Sequence, residues 1–261
     1  MIRRPPRSTP KPSSAASDVY KRQIPARYGS SRFPGKPLAS INGVSMIERD
    51  YKGALGAESL DDIRVATDDV RIAKACKNFG ANVEMTRPDH PTGSDRIAEA
   101  IAKISCDIVV NIQGDEPLIE GHVIDAAVNS LIQTPEAEVS TVAHAANVDD
   151  LQDPDRVKVV TNHKNLALYF SRAEIPFTRV TTDEVHKNRL QHVGLYAYRR
   201  SFLLDYVRFH PSALEKIESL KQLRILENGF NIVVARIHNW SSCPVDSPKD
   251  IVKVEKILLE K

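Results

Sequence analysis

Short apolar runs alternate with helical patterns along the first half of the chain. The clearest run, at 107–112, reads Asp-Ile-Val-Val-Asn-Ile and leads into a Gly-Asp-Glu-Pro turn, and a helical pattern follows at 122–132. Continuous apolar runs are typical of strands buried in a parallel sheet, and parallel strands need crossover connections. The alternation therefore predicts an α/β fold of Rossmann-like kind, with helices flanking a mostly parallel central sheet.

The second half of the chain has a different pattern, in which strands follow one another with little helix between them. These strands are predicted at 139–143, 157–161, 166–170 and 193–198. A helical pattern then begins at Leu214 and ends near Gly229, and a strand at 232–237 precedes a last helix that Ser247 can cap. The predicted sheet is therefore mixed, and residues 24–261 are expected to form a single domain.

Composition and charge exclude several classes of function. The chain has 261 residues, 41% of them hydrophobic, and no apolar run approaches the roughly 20 residues that a membrane helix needs. Residues 1–23 carry six basic residues and one acidic residue, so the net charge of +2 leaves the remainder mildly acidic, and no general affinity for nucleic acid is expected. Cys76, Cys106 and Cys243 are far apart, which argues against a disulfide framework or a zinc–thiolate site and favours a reducing cytoplasm.

The first 23 residues differ from the rest of the chain. They contain four prolines and four serines and show no apolar periodicity, so they cannot bury enough surface to order themselves. A basic disordered arm and a transit peptide are two interpretations. We favour a third, because the string resembles translated sequencing-adapter read-through joined to a truncated gene. Residues 1–23 are therefore expected to be disordered and non-native.

A loop at 24–38 concentrates cations among glycines and prolines. It reads Ile-Pro-Ala-Arg-Tyr-Gly-Ser-Ser-Arg-Phe-Pro-Gly-Lys-Pro-Leu and carries Arg27, Arg32 and Lys36. Glycine lets a backbone approach a ligand closely, proline stiffens the loop, and three cations suit a polyanion such as a triphosphate. The same composition is typical of a surface turn, and the loop is neither a Walker A sequence nor a dinucleotide fingerprint.

Two aspartates are candidates for holding a divalent metal ion. Asp115 follows the buried strand at 107–112, at the carboxyl end where open α/β sheets bind ligands, and Asp246 lies just before the last helix. Mg²⁺ prefers oxygen ligands and often binds one or two carboxylates together with phosphates. Both residues also have structural interpretations, because Gly-Asp is a common turn and an aspartate before a helix is a common N-cap.

Seven blocks in the same order resemble one family of sugar nucleotidyltransferases. One is the loop at 24–38 and another is Asn-Ile-Gln-Gly-Asp-Glu-Pro at 111–117. The remaining blocks fall at 85–96, 168–176, 192–198, 214–218 and 245–248. The family is that of the 3-deoxy-manno-octulosonate (Kdo) cytidylyltransferases, which activate an acidic sugar with CTP. The resemblance implies a nucleotidyltransferase fold, with a smaller sheet inserted over the sugar site and contributing to a homodimer contact.

The resemblance also implies roles for individual residues. Lys36, Arg27 and Asp115 would be catalytic, and Asp115 and Asp246 would bind Mg²⁺. The residues expected around the nucleotide are Ala26, Arg27, Arg32, Lys36, Arg87, Ser94 and Arg96. The residues expected around the sugar are Gln113, Arg172, His192, Tyr196, Glu215 and Gln222.

Several of these residues have structural alternatives. Ser94 is equally typical of a helix cap, and Arg96 of a solvated helix surface. Glu215 and Gln222 are seven apart in one helical pattern, so the face they share could simply be solvent-exposed. His192 and Tyr196 lie four apart on one predicted strand, so their side chains point to the same face, which favours a shared pocket without proving it.

The implied reaction transfers CMP from CTP to Kdo and releases pyrophosphate, in a cytoplasmic enzyme of lipopolysaccharide synthesis without nucleic-acid or membrane partners. One alternative is a cytidylyltransferase for a related acidic sugar, such as 8-amino-Kdo or a sialic-type acid. The other is a nucleotide-binding protein without turnover, because the apolar strand that family members place before the loop is mostly replaced here. Lys221, where relatives often carry Glu, and Asp50, which interrupts an apolar helix face, are further departures.

Overall fold

The computed structural model describes residues 20–29, 33–179 and 188–260, and for residues 20–23 it defines the backbone alone. The predictions for Arg32 and for residues 1–19 fall outside this range. The strands are β1 (Tyr20–Ala26), β2 (Ser40–Ile41), β3 (Val44–Ser45), β4 (Asp62–Thr67), β5 (Asn82–Met85), β6 (Ile108–Ile112), β7 (Val139–Ala145), β8 (Lys158–Thr161), β9 (Ala167–Ser171), β10 (Leu190–Arg199) and β11 (Ile232–Ile237). The helices are α1 (Met46–Leu55), α2 (Val70–Asn78), α3 (Gly93–Ile101), α4 (Gly121–Gln133), α5 (Arg200–Tyr206), α6 (Ala213–Glu218), α7 (Gln222–Glu227) and α8 (Pro248–Glu260).

The central sheet is mixed, as the two halves of the sequence predict. Its strands lie in the order β11-β7-β10-β6-β1-β4-β5. Strand β1 pairs in parallel with β4 on one side and β6 on the other, whereas β10 runs antiparallel to β6 and β7. Strands β8 and β9 form an antiparallel pair attached to the start of β10, next to the main sheet. The predicted α/β class and mixed, mostly parallel sheet are confirmed.

Strand β1 begins earlier than the sequence suggests. Its backbone is paired from Tyr20 with β6 and from Lys21 with β4, although residues 20–23 belong to the segment expected to be disordered. The partners of β1 are both interior strands of the sheet, so the chain keeps a central strand at this position despite its sequence.

Both faces of the sheet are covered. Successive residues of a strand point to opposite faces, so Val109 and Val110 of β6 belong to two different core clusters. Val110 belongs to the cluster that contains Ile47 of α1 and Val123 of α4, and Val109 belongs to the cluster that contains Phe202 of α5. The helical periodicity of α1 and α4 therefore buries one stripe of each helix on the sheet, as expected for crossover helices.

The backbone of helix α1 lies in close contact with the segment that follows β6. A Cβ on Gly53 would lie 2.1 Å from the carbonyl oxygen of Ile119, a distance that no side chain tolerates. A Cβ on Gly121 would likewise lie 2.1 Å from the carbonyl group of Gly56. These two close contacts hold the stretch between β6 and α4 against α1, and that stretch carries Asp115.

The predicted single helix at 214–229 is two short helices, which is a correction to the sequence analysis. Helix α6 ends at Glu218 and is followed by Ser219, whose φ of 53° is left-handed, and α7 starts at Gln222. A left-handed residue reverses the chain direction and ends a helix. Glu215 and Gln222 therefore do not share a face of one helix. Of the helices in the described ranges, none has the length and hydropathy of a membrane span.

Candidate active site

A cleft of about 530 Å³ opens at the carboxyl ends of β1 and β6. This is the edge of an open α/β sheet where ligands bind. One wall comes from the start of the loop after β1 and from α3, and the other from β10 and the segments beside it. The predicted site residues that line the cleft are Ala26, Arg27, Lys36, Ser94, Arg96, Gln113, Asp115, His192, Tyr196, Gln222 and Asp246.

Lys36 joins two distant parts of the chain inside the cleft. Its ammonium lies 3.3 Å from a carboxylate oxygen of Asp115 and donates a hydrogen bond of 2.7 Å to the carbonyl oxygen of Val245. The amide of Val245 in turn donates to the backbone carbonyl of Asp115, at 2.9 Å. Lys36 and one backbone hydrogen bond therefore link the two segments that carry Asp115 and Asp246, the predicted metal ligands.

The segment before α8 is held in place by contacts along its whole length. The indole of Trp240 donates to the carbonyl of Leu118, and the hydroxyl of Ser242 donates to a carboxylate oxygen of Glu116 at 2.5 Å. At the start of the helix, Asp250 accepts hydrogen bonds from the backbone amides of Asp246 and Ser247, at 3.2 and 2.9 Å. These contacts place Asp246 at the cleft, next to Asp115.

Acidic side chains gather at this end of the cleft. Burial raises the pKa of Asp115, and the neighbouring Asp246 carboxylate raises it further, whereas Lys36 opposes the shift. Burial and the charge of Asp115 raise the pKa of Glu116 to about 8. One oxygen of Glu116 is buried without a hydrogen-bond partner among the described residues. Carboxylates that lie close together, with one oxygen lacking a hydrogen-bond partner, favour the binding of a cation between them.

The donor set fits a hard divalent ion that also binds phosphate. Across residues 20–29, 33–179 and 188–260, no three His, Cys, Asp or Glu side chains form a group that could hold a metal by themselves. Asp115 and Asp246 supply two oxygen ligands, and the open cleft leaves room for phosphate oxygens and water. Mg²⁺ is commonly bound in this way, by one or two carboxylates together with substrate phosphates.

Asp50, which interrupts the apolar face of α1, lies beneath this acidic end. It is fully buried, and neither carboxyl oxygen has a hydrogen-bond partner within the described part of the chain. One oxygen lies 3.5 Å from the position that a Cβ on Gly114 would take. Burial raises the pKa of Asp50 well above its usual range, and the charges of Asp115 and Glu116 add to this effect.

Replacing Asp50 by Val should stabilise the protein. The variant removes a buried carboxyl group without hydrogen bonds and adds apolar contacts, so we expect the free energy of unfolding to rise by about 2 kcal/mol. Urea unfolding followed by circular dichroism measures the change. Asp149→Val, at an exposed position in the turn Val148–Asp150, is the control and should shift stability by less than about 0.5 kcal/mol. Equal or lower stability of Asp50→Val would contradict this account of the site.

The nucleotide side of the cleft contains the start of α3. The N-cap of α3 is Thr92, whose hydroxyl accepts the amide of Asp95, so Ser94 is free of the capping role that the sequence suggested. Arg96 is buried, not on a solvated helix surface, and its guanidinium contacts Thr86 at 2.5 Å and Asp68 at 3.0 Å. Arg96 lines the cleft while its donors are held by the protein.

Arg87 does not line the cleft. Its side chain is 66% exposed and lies 3.6 Å from Glu99 and 3.8 Å from Asp89. His90, from the same block, takes its place in the cleft wall and hydrogen-bonds Glu99. Arg87 therefore lies outside the cleft lining, and its base-reading role stays a prediction.

The sugar side is formed mainly by β10. His192 lies against the rings of Phe170 and Tyr196, with centroids 5.1 and 5.4 Å away, and its Nε2 is 2.9 Å from the hydroxyl of Thr141. The side chain of Gln113 covers Gly194, where an added Cβ would lie 3.1 Å from it. Gly194 therefore lets Gln113 lie across β10 in the cleft.

Two residues expected at the sugar do not line the cleft. Arg172 donates to the carbonyl oxygens of Glu218 and Pro154, at 2.8 and 2.7 Å. Glu215 is buried and forms a two-point ion pair with Arg224, at 2.6 and 2.5 Å. Both charged groups are occupied by partners within the protein, so they hold loops and helices beside the cleft.

Burial of His192 gives a testable pH dependence. Burial lowers its pKa to about 3, so the folded protein keeps the ring neutral while the unfolded chain binds a proton below about pH 6.5. The unfolded state then binds more protons, and stability falls as the pH drops through 6.5. We expect wild type to lose about 1–2 kcal/mol more than His192→Gln between pH 8 and pH 5.

Urea unfolding at the two pH values measures this difference. His210→Gln is the matched control, because His210 is exposed. Identical pH dependence in wild type and His192→Gln would contradict a neutral, buried imidazole.

Sequence reasoning missed several polar residues of the cleft. Asn111 and Gln191 are buried in strands, and each has a side-chain oxygen without a hydrogen-bond partner among the described residues. The polar interruption of the apolar run at 107–112 could have indicated Asn111. Arg156 and Ser242 also line the cleft, but they lie in segments without a recognisable motif.

The fold and the cleft define a nucleotidyltransferase, and comparisons with known proteins agree. The sequence model of the cytidylyltransferase family matches residues 24–237. The 3-deoxy-manno-octulosonate cytidylyltransferase of Syntrophotalea carbinolica is 48% identical over 239 residues, which cover 89% of this chain and 95% of that protein. The mitochondrial 3-deoxy-manno-octulosonate cytidylyltransferase of Arabidopsis thaliana is 42% identical over 240 residues, covering 91% and 82%.

Solved structures of cytidylyltransferases also resemble this chain. A structure of CMP:2-keto-3-deoxy-manno-octonic acid synthetase in complex with CTP matches with a TM-score of 0.85 and 40% identity, over 93% of this chain and 99% of that chain. A cytidylyltransferase from Leptospira borgpetersenii, 15% identical with a TM-score of 0.62, shares the fold. The chain belongs to the 3-deoxy-manno-octulosonate cytidylyltransferase family of enzymes.

Proposed function

We propose that this protein transfers CMP from CTP to Kdo, giving CMP-Kdo and pyrophosphate. The observation that carries the proposal is the joining of Asp115, Lys36 and the segment of Asp246 at one end of a cleft whose other wall holds His192 and Tyr196. An acidic, metal-binding end beside a polar pocket suits a triphosphate and a sugar that react with one another.

The nucleotide would lie between the loop after β1 and the start of α3. Arg27 and Lys36 line this part of the cleft and would neutralise the triphosphate, and Arg32 would add a third cation. Ser94 would read the base, with Ala26 packed beside it, and Arg96 would act by fixing Thr86 and Asp68 around the base site. Pro25 lies 3.2 Å from where a Cβ on Gly93 would be, so the two walls already meet there.

Asp115 and Asp246 would hold Mg²⁺ against the phosphates. The bound ion supplies charge neutralisation for the triphosphate and the leaving pyrophosphate, and it can lower the pKa of the attacking hydroxyl. Lys36 keeps the two carboxylates in register, because it contacts Asp115 and the carbonyl next to Asp246. Preorganised charges of this kind stabilise a transition state without reorganisation.

The sugar would lie against β10. Gln113, His192, Tyr196 and Gln222 line this part of the cleft and would contact its hydroxyls. A neutral His192 can accept or donate a hydrogen bond without adding charge, since burial keeps its pKa near 3. The unpartnered oxygens of Asn111 and Gln191 supply further acceptors for hydroxyl groups.

The reaction is an in-line displacement. The anomeric hydroxyl oxygen of the sugar forms a bond to the α-phosphorus, the bond from that phosphorus to the bridging oxygen breaks, and pyrophosphate leaves with the electron pair while the hydroxyl proton passes to solvent. Catalysis then comes mainly from positioning and charge neutralisation. No covalent enzyme intermediate is required.

We further propose that residues 24–261 act as one domain in a homodimer in the cytoplasm, for lipopolysaccharide synthesis. Two exposed apolar side chains support the dimer: Leu168 of β9 and Phe177, which follows β9 in the chain, are 60% and 85% exposed, and contact with a second copy would bury them. The three cysteines are free and buried, as expected in a reducing compartment.

Product analysis tests the proposed function. The protein is incubated with CTP and Mg²⁺ and with Kdo, 8-amino-Kdo or a sialic acid, and nucleotide sugars are identified by mass spectrometry while pyrophosphate is assayed. We expect pyrophosphate and CMP-Kdo in equal amounts with Kdo and much less product with the other sugars. Preference for another acid would redirect the substrate assignment, and CTP binding without release of pyrophosphate would overturn the enzymatic function.

A further inference from the structure

The acidic sugar needs a cation for its carboxylate, and the structure offers a candidate that the sequence did not indicate. Arg156 precedes β8 and lines the cleft, with 16% of its side chain exposed. Its guanidinium makes no hydrogen bond to any residue in the described ranges, and its ion pair there, with Asp153, spans 4.0 Å. A guanidinium that is largely buried and faces a cleft without hydrogen bonds is ready to receive an anion.

The backbone around Arg156 is held from both sides. The amide of His192 donates to the carbonyl of Val157, at 2.8 Å, so this segment is attached to β10. The ammonium of Lys158, which is fully buried, donates to the carbonyls of Asp153, Arg156 and Arg172 at 2.8, 2.6 and 2.6 Å. The position of Arg156 at the cleft is therefore fixed by the protein before any ligand binds.

Arg156 lies in the same cleft as the two predicted metal ligands. Asp115 and Asp246 line that cleft together with Arg156. A 2-keto acid in its ring form carries the carboxylate on the same carbon as the attacking anomeric hydroxyl. The cation that binds this carboxylate must therefore lie in the cleft that contains the predicted metal ligands, a requirement that Arg156 meets.

Arg172, to which the sequence assigned a place at the sugar, does not meet it here. Its donors are taken by the carbonyls of Glu218 and Pro154, it lies 3.7 Å from Asp155, and it is absent from the cleft lining. It ties the segment at 154–155 to the end of α6. In this arrangement Arg172 supports the loop that carries Arg156.

We propose that Arg156 binds the carboxylate of the acidic sugar through a charge-assisted hydrogen bond, and that Arg172 positions the loop around it. The proposal rests on the function proposed above and adds the residue that selects an acid over a neutral sugar. A guanidinium can bind a carboxylate at two points, which an ammonium at the same place cannot do.

Steady-state kinetics of Arg156→Gln, Arg156→Lys and Arg172→Gln tests the proposal, with Kdo and with its C1 amide as substrates. We expect Arg156→Gln to raise KM for Kdo by roughly 10- to 100-fold with KM for CTP within about twofold of wild type, and Arg156→Lys to recover part of the loss. The amide should be a poor substrate for wild type, and Arg156→Gln should not weaken it further. Arg172→Gln should lower the melting temperature.

If wild type converts Kdo and Arg156→Gln has the same KM for Kdo as wild type, the inference is overturned and the proposed function stands. A raised KM for CTP alone would also overturn it, because Arg156 would then bind phosphate. An inactive wild type would instead overturn the proposed function. If Arg156→Gln unfolds, equilibrium binding of Kdo to Arg156→Lys decides the question, because lysine keeps the charge but loses two-point binding: weaker binding than to wild type supports the inference, and equal binding overturns it.

Discussion

Asp115→Asn should lower kcat by about a thousandfold while the protein remains folded. The amide has the same shape as the carboxylate but no charge, so it binds Mg²⁺ weakly and leaves the triphosphate less neutralised. Stability should not fall, because burial disfavours the charged form of Asp115, as the direction of its pKa shift indicates. The measurement is pyrophosphate release with saturating CTP, Kdo and Mg²⁺, together with a melting curve.

Asp155→Asn is the matched control for that experiment. Asp155 also lines the cleft, but on the wall of β8, where it lies 3.7 Å from Arg172. Its loss should change kcat by less than about tenfold, because it is not placed to hold the metal. Similar kcat values for Asp115→Asn and wild type would refute the assignment of Asp115 as a metal ligand.

Lys36→Met should have the second largest effect, a loss of about a hundredfold in kcat. The substitution removes a cation next to Asp115 and also the hydrogen bond to the carbonyl of Val245. Because that hydrogen bond ties the segment of Asp246 to Asp115, we also expect half-maximal activity to require severalfold more Mg²⁺. A Mg²⁺ titration of initial rates measures both effects at once.

Lys52→Met controls for the loss of a positive charge. Lys52 lies on α1, is 60% exposed and pairs with Glu48, away from the cleft. It should match wild type in kcat and in Mg²⁺ requirement. A Lys36→Met variant with lower kcat but the wild-type Mg²⁺ requirement would show that Lys36 acts on the triphosphate alone and does not position Asp246.

The parts of the site that sequence reasoning located are those that local patterns determine. Asp115 follows a short apolar run that predicts a buried strand, so its place at the carboxyl edge of the sheet follows from the sequence pattern and the topology. His192 and Tyr196 lie on one strand, β10, and both line the cleft, as their spacing predicts. In these cases the neighbours in sequence decide which way a side chain points.

The expected sugar-side residues that do not line the cleft have partners distant in the sequence. Arg172 is drawn away from the cleft by carbonyl groups of Glu218 and Pro154, and Glu215 by Arg224. Nothing in the local sequence tells which of several cations will find such a partner. The break between α6 and α7 is not apparent from the sequence either. Ser219 adopts the left-handed conformation after α6, at a position where glycine is the usual signal.

The position of Asp50 could be predicted from the sequence only in part. The sequence shows that it interrupts an apolar helix face, but not that it lies under Gly114 with both oxygens unpartnered. That position follows from the close contact of α1 with the segment after β6, which two glycines permit. A buried carboxyl group without a hydrogen-bond partner becomes apparent only when the packing is known.

The most direct test of the account follows the phosphorus atoms of CTP by ³¹P NMR during incubation with Kdo and Mg²⁺. The account predicts that the three resonances of CTP are replaced by one from the phosphodiester of CMP-Kdo and one from pyrophosphate, with one α-phosphorus transferred per pyrophosphate formed, and that the conversion stops when Kdo is omitted. Unchanged CTP, or conversion of CTP to free CMP regardless of Kdo, would contradict the transfer of CMP to the sugar.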